Sequence, residues 1–164
     1  MRLGAPALVV GALRAHGAVL AIRALEAVRF LVKANRDFVS PLLRAGLVGA
    51  AEELVARGRA SDDAELGGRV ARTLGIVSYE AASRAGAAPG MERIARVLVA
   101  VCGAHVRVPE TAAAAVEALG SCAELPEFER LVAEKCGGYG AVVAVLEAHP
   151  DSAQVACHAC CALQ

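Results

Sequence analysis

The sequence has no tryptophan, and aromatic residues make up only 3% of its 164 residues. Hydrophobic residues still account for 57%, so most apolar side chains are alanine, valine and leucine. Such side chains suit close contacts between helices better than a sheet, and no segment shows the alternating polarity of a strand between turn signals. We therefore predict an all-α protein, long enough for one compact unit with a real core.

Net charge is absent too, and so are long apolar runs. The 17 basic and 17 acidic residues balance to zero, which gives no bulk attraction to nucleic acid or to an anionic membrane. No apolar run reaches the roughly 18 residues that a membrane span needs. We expect neither nucleic acid nor a membrane as a partner.

Catalytic motifs are missing as well. The sequence has no P-loop, no GxGxxG after a strand and no HExxH, and its four histidines have no recognisable catalytic neighbours. A helical lyase would need acids or histidines that converge on one groove. The sequence offers only Glu117, Glu124 and His158 as such a set, and no base with an orienting partner can be identified among them. We predict no enzymatic activity, no catalytic residue and no cofactor.

Six cysteines lie mostly in helical apolar contexts, and we predict reduced, buried thiols in a cytosolic protein. They are Cys102, Cys122, Cys136, Cys157, Cys160 and Cys161. The last three share one face of a helix, which is typical of a packed core. A metal-binding or redox module stays open as an alternative function, because Cys157 and Cys160 have metal-ligand spacing, although a second pair is missing. Its ligands would be Cys157, His158, Cys160 and Cys161.

What the chain has instead is internal repetition. Residues Ala7–His16 and Gly140–His149 agree at five of ten positions, which gives His16 and His149 one repeat position and predicts a structural role at a helix end. Four Ala-Leu or Thr-Leu pairs recur late in apolar helices, with spacings of 49, 45 and 44 residues between Leu25, Leu74, Leu119 and Leu163. A period in the mid-forties with only helical signals is typical of armadillo and HEAT arrays.

Individual helices follow from spacing and capping signals. Apolar residues at three-to-four steps predict a helix over Ala18–Ala34. Ser61 or Asp62 is predicted to cap a helix that runs to about Glu80. The segment RAGAAPG (Arg84–Gly90) is predicted to be a loop.

Two segments resemble armadillo repeats, and HEAT-like repeats are the family most easily mistaken for them. They are NRDFVSPLLRAGLV (Asn35–Val48) and ERLVAEKCGGYGAVVAVLEAHPDSAQVACHACCAL (Glu129–Leu163). The family's unit is a short helix, a glycine-marked turn and two longer helices. The resemblance implies a right-handed α-solenoid of about four repeats, the first and last incomplete. We predict a single domain over 1-164, with approximate repeats 1-34, 35-80, 81-125 and 126-164.

The resemblance also implies that the third helix of each unit lines a concave groove for peptide segments of partner proteins. Importins of this family carry tryptophan and asparagine columns there. The tryptophan column here reads Arg23, Arg72, Glu117 and Cys161, and the asparagine column reads Ala27, Ile76 and Ser121. Both signatures are missing, which argues against recognition of basic nuclear-localisation peptides. The predicted partner-binding residues are Arg23, Phe30, Arg69, Arg72, Tyr79, Glu117, Ser121 and Glu124.

The predicted function is therefore a non-enzymatic scaffold that binds extended or helical protein segments. The opposing interpretation places Phe30 and Tyr79 in the core and treats the groove charges as a solvated surface. We expect a cytoplasmic location, with the nucleus and the cilium left open; the internal match of Ala7–His16 argues against a mitochondrial transit peptide. Apolar ends such as ACHACCAL (Ala156–Leu163) predict self-association, or a piece of a longer scaffold.

Overall fold

A computed structural model describes residues 4–15, 17–85, 90–123 and 129–163. All regular secondary structure in these ranges is helical, which confirms the predicted all-α class. No helix within them is both long and apolar enough to cross a bilayer.

Helices follow one another with short connections through the described ranges. They are α1 (Ala5–Ala15), α2 (Ala18–Ala34), α3 (Val39–Arg44), α4 (Leu47–Ala56), α5 (Arg59–Asp62), α6 (Ala64–Ala85), α7 (Met91–Ala104), α8 (Pro109–Ala123), α9 (Gly138–Ala148) and α10 (Ala153–Ala162). A 3-10 turn over Arg36–Phe38 leads into α3, and a π-helical turn over Leu131–Lys135 precedes α9. The predicted bounds of α2 are confirmed at both ends.

Eight of these helices pack as two layers. Helices α2, α6, α8 and α10 lie side by side in chain order, and α1, α4, α7 and α9 do the same. The layers meet mainly through the pairs α1–α2, α6–α7, α7–α8 and α9–α10. We refer to α1, α4, α7 and α9 as the outer layer. We refer to α2, α6, α8 and α10 as the groove layer, because three of them line the groove described below.

The core is built from leucine, valine and alanine, as the composition predicts. One continuous cluster of buried side chains joins the helices. Its largest fully buried members include Leu13, Leu25, Leu42, Leu47, Leu54, Leu66, Leu74, Ile94, Leu98 and Leu119. Three of the four leucines that define the repeat spacing, Leu25, Leu74 and Leu119, are therefore core residues, whereas Leu163 is 39% exposed.

The start of α6 differs from the prediction. Its N-cap is Asp63, whose Oδ1 accepts a hydrogen bond from the backbone N–H of Leu66 at 3.0 Å. The predicted caps Ser61 and Asp62 belong to the one-turn helix α5 instead. Helix α6 also extends to Ala85, so it covers the first two residues of the predicted loop; residues 86–89 lie outside the described ranges.

A glycine with a left-handed φ angle directly precedes four of the described helices, and three of these turns recur at a regular spacing. The fourth is Gly58, before the one-turn helix α5. Gly46, Gly90 and Gly137 directly precede α4, α7 and α9, with left-handed φ angles of 90°, 103° and 73°. A side chain would strain the backbone in this region, so glycine is required for the sharp entry into each helix. These turns are 44 and 47 residues apart, which matches the predicted period.

A histidine contact recurs at the same period. Nε2–H of His105 donates to the carbonyl of Ala60 at 2.6 Å, and Nε2–H of His149 donates to the carbonyl of Val106 at 2.7 Å. Each ring follows a helix of the outer layer and reaches the segment after the preceding helix of that layer. This geometry agrees with the predicted structural role of His149, whereas His16 lies outside the described residues.

Candidate functional site

A groove crosses three helices of the groove layer, with a volume of about 620 Å³. Its floor consists of the small buried residues Gly75, Ala114 and Ala118. Larger side chains form its walls: Arg29 and Lys33 from α2, Arg72, Ile76, Tyr79 and Glu80 from α6, and Glu117 and Ser121 from α8. We refer to this cavity as the central groove.

Close packing between α6 and α8 sets the depth of the floor. A Cβ atom placed on Gly75 would lie 2.9 Å from the Cβ of Ala118, closer than real Cβ contacts allow. The next pair of helices repeats the arrangement less tightly, since a Cβ on Gly120 would lie 3.4 Å from Ala162 Cα. Small residues at these points let the helix axes approach, and the longer side chains around them stand above the floor.

Helical spacing brings the wall residues together. Arg29 and Lys33 are one turn apart on α2, and Glu117 and Ser121 are one turn apart on α8. Residues three or four positions apart lie on one helix face. The side chains of each wall therefore form a short row, and the rows from adjacent helices face a common space.

Three cations of the central groove lack an acidic partner among the residues that the structure describes. Arg29, Lys33 and Arg72 form no ion pair with any residue that the structure describes. Elsewhere in these ranges arginines are commonly paired, for example Arg93 with Glu52 and Arg96 with Glu92. The groove thus concentrates positive charge that the fold itself does not use.

Two polar atoms in the groove walls are buried without a hydrogen-bond partner among the described residues. They are Nε of Arg29 and Oε2 of Glu80. Glu80 is only 9% exposed, and its other oxygen, Oε1, lies 3.3 Å from Nε of Arg36. Buried polar atoms normally have partners, so these two atoms are exceptions in the walls of the groove.

The structure brings together four of the predicted partner-binding residues. Arg72, Tyr79, Glu117 and Ser121 all line the central groove. Tyr79 is 47% exposed and Phe30 is 72% exposed, so the interpretation that placed these two rings in the core is wrong. Phe30 does not line the groove.

The remaining predicted residues are placed differently. Arg23 Nη1 and Arg69 Nη1 each lie 3.0 Å from a carboxylate oxygen of Glu26, and Arg69 also lies 3.5 Å from Glu65. These two arginines are therefore neutralised within the protein. Glu124 lies outside the described residues.

Arg29, Lys33 and Glu80 are groove residues that the sequence-based prediction missed. Two of them could have been found from helical spacing. Arg29 and Lys33 continue the face of α2 in three- and four-residue steps from Glu26. The prediction followed the repeat columns through Arg23 instead. Glu80 carried no such signal, because its burial depends on how α6 packs.

The cysteine cluster of α10 contradicts the predicted burial. Cys157, Cys160 and Cys161 are exposed, since the helix turns Val155 and Ala159 toward the core. Cys136 is partly buried. No group of three or more potential ligands in the described part of the chain is arranged to hold a metal ion.

Two other thiols are buried as predicted. Burial raises the pKa of Cys102 to about 12. Burial also raises the pKa of Cys122 to about 11, and the Ser78 hydroxyl, whose Oγ lies 3.3 Å from the Cys122 Sγ, lowers it by a smaller amount. Both thiols stay protonated at neutral pH and are therefore poor nucleophiles and poor metal ligands.

Comparison of the chain with protein-family models, with curated proteins and with solved structures gives no match. The central groove combines cations, one exposed tyrosine and a floor of small residues at the junction of three helices.

Proposed function

We propose that this chain is a non-enzymatic scaffold of the armadillo type, a right-handed α-solenoid of about four repeats with the first and last incomplete. Three recurrences at a spacing in the mid-forties support the repeat: the glycine turns, the histidine contacts, and the close helix contacts at Gly75 and Gly120. In such an array the helices of the groove layer correspond to the third helices of the repeats.

The proposed activity is the binding of peptide segments of partner proteins in the central groove. The observation that carries this proposal is the set of cations Arg29, Lys33 and Arg72 in one cavity of about 620 Å³, none of which forms an ion pair with a described residue. Charge complementarity across an interface selects partners and fixes their register. Tyr79 stands beside these cations with 47% of its surface exposed, and a large amphipathic ring is a common anchor for a bound segment.

Arg72 is the residue that best tests the groove, because it comes from the central helix and its replacement breaks no ion pair with a described residue. Peptides selected from a random display library against the purified chain provide ligands without knowledge of the natural partner. Arg72→Glu should weaken their binding by at least tenfold, since a hydrogen bond to a charged group contributes about 1.5–3 kcal/mol.

Arg107→Glu is the control, because it makes the same charge change at an exposed arginine outside the groove, whereas Arg72 is partly buried. Affinities are compared by fluorescence anisotropy and melting temperatures by circular dichroism. Arg107→Glu should keep the affinity and the melting temperature of the parent chain. Arg72→Glu should lose affinity and keep the melting temperature. Selected peptides that bind Arg72→Glu and the parent chain equally would place the binding surface elsewhere, and an equal loss of stability would make Arg72 structural.

A further inference from the structure

Charge in the central groove is unevenly balanced. Glu80 lies 3.3 Å from Arg36, which offsets its negative charge. The walls then carry the positive charges of Arg29, Lys33 and Arg72 against the single negative charge of Glu117. A bound group that matches this site would carry close to two negative charges.

The donors come from two helices. Arg29 and Lys33 lie one turn apart on α2, and Arg72 lies on the adjacent helix α6. The Nε–H of Arg29 is buried and without a partner among the described residues, so one donor is already withdrawn from water before any ligand arrives. A ligand with several acceptor oxygens satisfies donors from both sides at once.

Phosphate fits these requirements better than carboxylate. A phosphorylated side chain carries about 1.5 to 2 negative charges at neutral pH and three strong acceptor oxygens. A carboxylate carries one charge on two oxygens and would leave part of the positive charge unmatched. The cavity above the small residues of the floor, Gly75, Ala114 and Ala118, has a volume of about 620 Å³ and leaves room for a tetrahedral group.

The rest of the groove favours a peptide as the carrier of the phosphate. Beyond the cations it continues toward α8, where Glu117 offers an exposed carboxylate. Ser121 offers an acceptor oxygen there, because its hydroxyl donates its proton to the Glu117 backbone carbonyl at 3.1 Å. These groups suit neighbouring backbone and basic side chains of a peptide that crosses from α2 to α8. A small anion alone would leave them unused.

We propose that the central groove recognises a phosphorylated side chain of a bound peptide, held by Arg29, Lys33 and Arg72. This inference rests on the proposed peptide-binding function and names the chemistry of its ligand. It predicts that phosphorylation of the partner strengthens binding in this groove.

The test uses the full chain labelled with nitrogen-15 in its arginines, so that the Nε–H signals report directly on Arg29 and Arg72. Three blocked tripeptides serve as probes at constant ionic strength: Ala-phosphoserine-Ala, Ala-Ser-Ala and Ala-Glu-Ala. We expect saturable shifts of both arginine signals with the phosphopeptide, none with the serine peptide, and at least tenfold weaker binding of the glutamate peptide. Equal affinity for the phosphoserine and glutamate peptides would overturn the preference for phosphate.

Variants locate the site. Lys33→Gln changes an exposed residue and should weaken phosphopeptide binding about tenfold without affecting the fold, because a charge-assisted contact is lost. Arg107→Gln, outside the groove, should bind like the parent chain. Equal weakening by both variants would indicate nonspecific attraction and refute the site.

Adenosine monophosphate is a further probe, and tighter binding of this nucleotide than of the phosphopeptide would overturn the peptide assignment.

This experiment separates the inference from the proposed function. The display-selected peptides carry no phosphate. If they bind in an Arg72-dependent manner while the phosphopeptide causes no saturable shift, the phosphate site is wrong and the scaffold proposal stands. If the phosphopeptide binds but no unmodified peptide binds in the groove, the anion site stands and the general peptide-binding proposal fails.

Discussion

Replacement of Gly75 by alanine tests the contact that forms the floor of the central groove. A glycine-to-alanine change in an unobstructed helix stabilises a protein by about 0.5–1 kcal/mol. At Gly75 the new methyl group would lie 2.9 Å from Ala118 Cβ and 3.1 Å from its Cα. Overpacking of this kind typically costs about 1–3 kcal/mol. We therefore expect a net effect of Gly75→Ala between neutral and about 2 kcal/mol destabilising.

Gly11 supplies the matched control. It lies in the middle of α1, it is exposed, and a Cβ there would meet no atom within 4 Å. Gly11→Ala should show the intrinsic gain alone, so the two variants should differ by about 1–3 kcal/mol. Urea unfolding followed by circular dichroism measures both free energies of unfolding.

A double replacement sharpens the comparison. In Gly75→Ala/Ala118→Gly the methyl group moves from one helix to the other, which removes the Cβ–Cβ clash and leaves the 3.1 Å approach to Cα of residue 118. We expect partial recovery of stability relative to Gly75→Ala, allowing for the lower helix propensity of glycine. If Gly75→Ala is as stabilising as Gly11→Ala, α6 and α8 do not touch at this point and the described groove floor is wrong.

Two further predictions concern the histidines and cysteines. His105→Ala should destabilise the chain by about 1–3 kcal/mol, because the carbonyl of Ala60 loses its buried donor; the more exposed His149 should tolerate the same change better, and urea unfolding of both variants compares them. Iodoacetamide should label Cys157, Cys160 and Cys161 in the folded chain and spare Cys102 and Cys122 until urea is added, since burial raises the pKa of these two thiols. Mass spectrometry of the labelled peptides decides this, and early labelling of Cys102 would contradict the packing of α7.

Helix positions were predictable from the sequence where two local signals agreed. The bounds of α2 follow from its apolar spacing between Gly17 and Asn35, and the structure places them at Ala18 and Ala34. The start of α6 was harder, because Ser61, Asp62 and Asp63 are consecutive capping residues. Asp63 caps α6 because Ser61 and Asp62 are part of the one-turn helix α5. The formation of that helix depends on its packing against α6 and α7, which the local sequence does not reveal.

The orientation of α10 could not be deduced from its composition. Its sequence AQVACHACCA offers two small apolar stripes on opposite faces, one with Val155 and Ala159 and the other with the three cysteines. Cysteine and alanine have similar burial preferences, so neither stripe is favoured by hydrophobicity. Contact with α8 decides in favour of Val155 and Ala159.

The electrostatics of the groove depend on one repeat position that the alignment of leucines identifies. Glu26, Gly75 and Gly120 each follow the aligned leucine, and each lies three residues after Arg23, Arg72 and Glu117, respectively. On α2 the acid at this position pairs with Arg23 and reaches across to Arg69. On α6 the same position is glycine, so Arg72 has no acid one turn away. A single position therefore both brings α8 against α6 and leaves Arg72 without an ion pair to any residue that the structure describes. This is why the central groove, rather than the region around Arg23, carries positive charge that is not offset by a neighbouring acid among the described residues.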